Sequence, residues 1–166
     1  MSDLGALSFY LDIKVKQGTD GITLSQSAYA TRILNNAGMT SCNPVHVPME
    51  PRFKLSKESS APAADATEYC SIVGSLRYVI HTRPDIAFAV GFVSRFMERP
   101  TEEDMAAVKR ILRYIADTIN YGCFYERNAK EAQLISYSDS DMAEDLDTCK
   151  STTGVIFLLG SSAISR

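Results

Sequence analysis

The hydrophobic period changes twice along this chain, and that double change is the strongest constraint on its fold. Near the amino terminus Phe9, Leu11, Ile13 and Val15 alternate with Tyr10, Asp12, Lys14 and Lys16, the two-residue repeat of a half-buried strand. Between residues 65 and 117 the repeat becomes helical, and beyond Gly122 short strand-like runs return. A chain of 166 residues that switches in this way is predicted to be α+β, with a helical middle between two sheet-forming ends. Its 45% hydrophobic content is enough to bury a real core.

Local signals place the elements. The Asp20-Gly21 step after Gly18-Thr19 predicts a tight hairpin turn that returns through Ile22-Thr23-Leu24. Ser25 or Ser27 is expected to cap a helix running to about Ala37, with Tyr29, Ile33 and Leu34 inward and Gly38 as its left-handed stop. From Met39 to Ala66, Pro44, Pro48, Pro51 and Pro62 predict an extended connecting segment. Asp65 with Glu68 opens a helix that carries Tyr69, Ile72, Val73, Leu76, Val79 and Ile80 at helical spacing. Pro84 opens a second, with Ile86, Val90, Val93 and Met97 along one stripe, and Pro100 ends it. Thr101 with Asp104 opens a third, whose Met105, Val108, Leu112 and Ile115 face inward while Lys109, Arg110 and Arg113 point elsewhere. Strands are expected at 123–125, 134–138, 153–159 and 163–165.

Composition narrows the function classes. Apolar runs such as Ile86 to Val93 and Val155 to Leu159 are far shorter than the roughly 20 residues that span a bilayer, and no basic-then-apolar leader precedes them. A soluble, unexported chain of the cytoplasm or nucleus is expected, with no membrane partner. Cys42, Cys70, Cys123 and Cys149 lie too far apart for a C-x-x-C pair, which predicts reduced, packed thiols. The net charge of −3 is unevenly placed: residues 77–113 hold seven basic side chains against five acidic ones, while Asp139, Asp141, Glu144, Asp145 and Asp147 crowd one stretch. A basic middle beside an acidic loop suits a polyanion held next to a metal site, and either cluster alone also suits a solvated surface.

Several strings in this order resemble one family. Val73-Gly74-Ser75-Leu76-Arg77-Tyr78, Thr82-Arg83-Pro84-Asp85-Ile86-Ala87-Phe88-Ala89-Val90 and Val108-Lys109-Arg110-Ile111-Leu112-Arg113-Tyr114 are three of them. Tyr137-Ser138-Asp139-Ser140-Asp141, followed by Lys150-Ser151-Thr152-Thr153-Gly154, is the fourth. Together the chain resembles copia-type long-terminal-repeat retrotransposon polyproteins in the region from reverse transcriptase to ribonuclease H. The resemblance implies that residues 1–55 are the end of a reverse transcriptase, with a primer-gripping hairpin whose lysines face phosphates and a thumb-like helix. It implies a connector at 56–66, a helical connection region at 67–122 that holds duplex, and a partial ribonuclease H-like domain at 123–166. Asp139 would occupy the position of the first metal-binding aspartate, where magnesium acts in the intact enzyme.

Departures from the family pattern shape the expected activity. The Tyr-x-Asp-Asp strand of the polymerase is absent, as are the later ribonuclease H carboxylates, and Asp12, Met142, Glu144 and Arg166 replace glycine, tryptophan, glycine and tryptophan. Two-metal hydrolysis holds ions roughly 4 Å apart among several shared carboxylates, which Asp139 with a weak contribution from Asp141 does not provide. A calcium loop fails too, because Glu144 and Lys150 stand where glycine and a bidentate glutamate are required. His46 and His81 have no Ser or Cys partner at a diagnostic spacing.

The expectation is therefore a chain inactive by itself, with no tightly bound metal, that at most contacts RNA–DNA or DNA duplex. Lys14, Lys16, Lys109, Arg110 and Arg113 would make that contact, and Tyr78 and Tyr114 would stack on bases. Lysines guarding a strand edge, a wet helix face and tyrosines with buried rings are the structural alternatives for these residues. The remainder of the polyprotein is the other expected partner, with self-association through Val155 to Leu159 if those strands lack a covering layer. The alternative function is a protein-interaction or structural remnant that binds no nucleic acid.

Overall fold

The computed structural model describes residues 5–51, 53–127, 133–140, 147, 151–160 and 162–165. Its elements alternate as an α+β chain: strands β1 (Phe9–Tyr10), β2 (Ile13–Gln17) and β3 (Gly21–Ser25), and helices α1 (Ser27–Asn36), α2 (Ala66–Val79), α3 (Ala87–Val93) and α4 (Glu102–Asp117). Strands β4 (Gly122–Glu126), β5 (Leu134–Ser140), β6 (Thr153–Leu159) and β7 (Ser162–Ser165) follow.

The single amino-terminal strand expected over Phe9 to Val15 is broken. Leu11 and Asp12 adopt φ of 46° and 60°, so Tyr10 and Ile13 pair directly across a two-residue turn and β1 folds back on β2. Two successive positive φ values match the right-handed twist of a hairpin. Alternation of apolar and polar residues survives the turn because a two-residue loop preserves the parity of the pattern, which hides it from a periodicity argument.

Helix α1 starts one step away from either expected cap: Gln26 occupies the cap position without a side-chain cap bond. Its amide oxygen instead accepts from the buried Thr82 hydroxyl at 2.9 Å. Gly38, at φ 65°, ends the helix as its spacing predicts. Asp65 caps α2 by accepting from the Thr67 and Glu68 amides at 2.8 and 3.0 Å, and Thr101 with Asp104 forms a reciprocal capping box on α4. The continuous helix expected from Pro84 is shorter: 3-10 turns at Pro84–Ile86 and Ser94–Phe96 flank the seven residues of α3.

The four helices share one core. Tyr69, Val73, Leu76 and Val79 of α2 meet Val90 and Val93 of α3 and Val108, Ile111, Leu112 and Ile115 of α4, with Ile33 and Leu34 of α1 closing the side. Most of these side chains are fully buried, and each contributes roughly 1.5–3 kcal/mol relative to an exposed position. Tyr69 lies in this core without leaving its hydroxyl unpaired, since it donates to the Val93 carbonyl at 2.8 Å. The described residues of the connector between α1 and α2 carry no helix or strand, and its end is tied to the start of α4 by an Ala63 to Thr101 bridge.

Among the described residues the strands form two antiparallel sheets, ordered β1-β2-β3-β4 and β5-β6-β7, and β7 packs near β4. The strand around Cys123–Tyr125, expected in the carboxyl-terminal sheet, instead pairs with β3 from Gly21 opposite Glu126 to Ser25 opposite Gly122. Chain segments a hundred residues apart thus close the amino-terminal sheet. Helical packing delivers the end of α4 beside β3, and no local pattern encodes that proximity.

Candidate nucleic-acid interface

The amino-terminal sheet presents two chemically distinct faces. Directly opposed residues of antiparallel strands project to the same side. Phe9, Lys14, Ser25 and Gly122 form one row across the sheet, and Lys16, Thr23 and Phe124 form the next. Lys14 and Lys16 are exposed, and Phe9 and Phe124 keep 56% and 50% of their surface in solvent. Ile13, Val15, Ile22, Leu24 and Cys123 occupy the opposite face, where the Cys123 thiol reaches the Thr82 carbonyl at 3.5 Å.

The hairpin that carries the lysines is anchored at its turn. Arg32 of α1 donates to the Asp12 carboxylate at 2.7 Å, and the Tyr78 hydroxyl of α2 donates to the Leu11 carbonyl. The Tyr29 ring lies edge-on to Tyr78 with centroids 5.1 Å apart, and the Arg32 guanidinium sits 5.1 Å above Tyr29. Farther along, the Val15 amide donates to the Ser8 carbonyl at 2.9 Å, so β2 is flanked on both sides rather than standing as a bare edge.

The basic residues of α4 separate into two kinds. Lys109 is exposed. Arg110 pairs with Glu50 at 2.7 Å, and Arg113 donates through Nε to the Asn43 carbonyl at 2.9 Å. His46 stands 3.5 Å from Asp117 at the end of the same helix. Three side chains of α4 therefore hold the proline-rich connector.

The region's most elaborate polar cluster escaped the sequence reasoning. Arg83 is 3% exposed and grips Asp85 with two bonds of 2.9 and 2.7 Å. It also donates to the Thr118 carbonyl at 2.9 Å and to the Thr118 hydroxyl at 2.7 Å. Its guanidinium lies 5.5 and 5.4 Å from the ring centres of Tyr114 and Tyr121. The Tyr114 hydroxyl donates to Asp85 at 2.9 Å. Burial alone would raise the Asp85 pKa, yet the Arg83 bonds and charge, with Tyr114, outweigh it and hold the carboxyl below the usual carboxylate range. Burial and the neighbouring Asp85 push Tyr114 above the usual tyrosine range. The Thr82-Arg83-Pro84-Asp85 string was the available signal: Pro84 bends the chain so that residues two apart face each other.

Asp139 lies exposed on β5, opposite Gly154, on the face shared with Ile135 and Tyr137. Asp141 falls outside the described residues. Among the described residues no group of three or more His, Cys, Asp and Glu side chains is gathered closely enough to hold a metal. The described residues do not fit a magnesium cage. Asp147 has another engagement, accepting from the Ser56 hydroxyl at 2.7 Å and from the Lys57 amide. Among the described residues no helix is long and apolar enough to cross a membrane.

Comparison with known proteins gives this geometry its setting. The reverse transcriptase (RNA-dependent DNA polymerase) family matches residues 1–51, which include the lysine hairpin and α1. The chain is 44% identical over 165 residues to the Retrovirus-related Pol polyprotein from transposon RE1 of Arabidopsis thaliana, covering 99% of this chain and 11% of that protein. It is 41% identical over 165 residues to an uncharacterized mitochondrial protein of the same plant, covering 99% of this chain and 68% of that one. The chain belongs to the copia-type retrotransposon Pol polyprotein family. A copia-type relative, the Retrovirus-related Pol polyprotein from transposon TNT 1-94 of Nicotiana tabacum, is 39% identical over 175 residues, 99% of this chain and 13% of that polyprotein. This Pol sequence thus spans only a small part of the transposon polyproteins it matches. No solved structure matches it.

Proposed function

We propose that this Pol chain contacts template-primer nucleic acid, RNA–DNA hybrid or DNA duplex, through the lysine face of its amino-terminal sheet, and that it does not turn over substrate by itself. The observation that carries this reading is Lys14 and Lys16 exposed side by side on β2. The turn beside them is pinned by Asp12 to Arg32 and by Leu11 to Tyr78. A pre-ordered pair of ammonium groups loses little backbone freedom on meeting phosphates, which favours contact even in a chain of net charge −3. Lys109 extends the same electrostatic role to α4, while Arg110 and Arg113 contribute by holding the connector in place. The rest of the polyprotein would supply the polymerase carboxylates and the remaining ribonuclease H ligands around magnesium, in the cytoplasm or nucleus.

Fluorescence anisotropy with a labelled RNA–DNA hybrid tests the reading. Binding is expected to be weak and to fall steeply with salt, with each phosphate contact contributing a log–log slope of about −0.9. Replacing both Lys14→Gln and Lys16→Gln should weaken binding and flatten the slope. An affinity indifferent to salt and to both substitutions overturns the proposal.

A second reading, self-association through the carboxyl-terminal sheet, is favoured by Leu134, Phe157 and Leu159. They share one face of β5 and β6 and remain 63%, 36% and 43% exposed. Sedimentation velocity of the native chain against Leu134→Lys separates the two, because only association responds to that change.

A further inference from the structure

We infer that the lysine face is a platform for an unpaired nucleic-acid strand, with Phe9 and Phe124 stacking on bases and Lys14 and Lys16 neutralising the phosphates between them. This inference rests on the proposed nucleic-acid contact and narrows it from paired strands to the unpaired strand of a template-primer. The two rings stand on the outer strands β1 and β4, while the lysines lie on β2 between them. Three strand spacings of about 4.8 Å put the rings roughly 14 Å apart across the sheet, offset by about 7 Å along it. A few nucleotides cover that distance, within the roughly four or more that single-strand binding sheets occupy.

Phe124 is built for this role by its neighbour. A Cβ on Gly21 would stand 2.8 and 2.9 Å from Cζ and Cε2 of the Phe124 ring. The ring therefore lies over the glycine backbone, supported from below while half of its surface stays in solvent. An exposed phenylalanine has no polar atom to justify its exposure, and a base offers it a π-face of matching size. Paired bases in a duplex are already stacked on each other and would leave both rings against sugar and phosphate. Thr23 lies between Lys16 and Phe124 in the row and adds a hydroxyl donor, and Glu126, opposite Gly21, limits phosphate contact beyond the Phe124 end.

The test titrates the full chain with three labelled probes of equal length at low salt: oligothymidylate, the same strand with abasic sites, and an RNA–DNA hybrid. The single strand is expected to bind at least several-fold more tightly than the hybrid. Abasic sites should cost about tenfold, since stacking contributes on the order of 1–3 kcal/mol per base. Phe124→Leu and Phe9→Leu should each give part of that loss for the single strand, with a smaller effect on hybrid affinity and no change in the salt slope of either probe. Circular dichroism confirms that the variants fold, and the abasic probe needs no variant. Equal binding of abasic and normal strands, or tighter binding of the hybrid, overturns the inference while the nucleic-acid reading stands. Absence of binding to all three probes overturns both.

Discussion

Asp12 holds Arg32 at 2.7 Å from a backbone position at φ 60°, so the residue that makes the hairpin's ion pair sits in the left-handed region that favours glycine. The Asp12 carboxylate gives the position a second function, docking the hairpin turn on α1. Leu11 beside it, at φ 46° and 63% exposed, packs little to offset its own strained conformation.

Leu11→Gly is therefore expected to stabilise the chain by about 1 kcal/mol, the left-handed penalty of a branched residue less the added freedom of the unfolded chain. Asp12→Gly should give a smaller gain or none, because it also removes the Arg32 pair. Urea midpoints of the two variants check the order.

Arg83 has four donor contacts in a nearly water-free site. Arg83→Met should destabilise by on the order of 3 kcal/mol, chiefly through the unpaired Asp85 and Thr118 groups left behind. Arg83→Lys should recover only part of the loss, because an ammonium cannot make the two-pronged Asp85 contact and reach Thr118 as well. Thermal unfolding monitored at far-ultraviolet wavelengths measures both.

Stability should fall at both pH extremes for identifiable reasons. The Asp85 carboxyl is held below its ordinary range in the folded state. Its contribution is thus present above the usual carboxylate pKa and disappears as pH falls from that value through the lowered one. Burial, then the charges of Asp104 and Cys70, push Tyr69 far above the usual tyrosine range. Its contribution is present below the ordinary tyrosine pKa and declines as pH rises past it. Asp85→Asn should flatten the acid limb of a stability profile, and Tyr69→Phe the alkaline limb.

The connector depends on α4. Arg113→Met, which keeps the alkyl stem but removes the bond to the Asn43 carbonyl, should speed proteolytic cleavage within residues 39–55 severalfold with little change in the global unfolding midpoint. Mass spectrometry of a limited digest locates the cut.

Core and periphery should respond unequally. Leu76 and Leu112 are fully buried among α2, α3 and α4, and Leu→Ala at either should cost roughly 2–5 kcal/mol. Leu134, exposed on β5, should tolerate the same change within about 0.5 kcal/mol. Chemical denaturation of the three variants checks the contrast.

Local sequence patterns specify the helical middle, the caps at Asp65 and Thr101, the stop at Gly38 and the α+β class. Each of these rests on short-range chemistry: a carboxylate or hydroxyl three residues from a free amide, a glycine at positive φ, or apolar groups on one helical stripe. The tertiary fold breaks the first strand at Leu11 and Asp12 and closes the amino-terminal sheet with Gly122–Glu126. It alone showed that Arg110 and Arg113 grip the connector and that Arg83 is buried between two tyrosines. Hydrophobic period records that a side chain will be covered, but not by what. Thr118, Asn43 and β3, the distant partners of Arg83, Arg113 and β4, lie 35, 70 and about a hundred residues away in sequence, where only the packed core brings them within bonding distance.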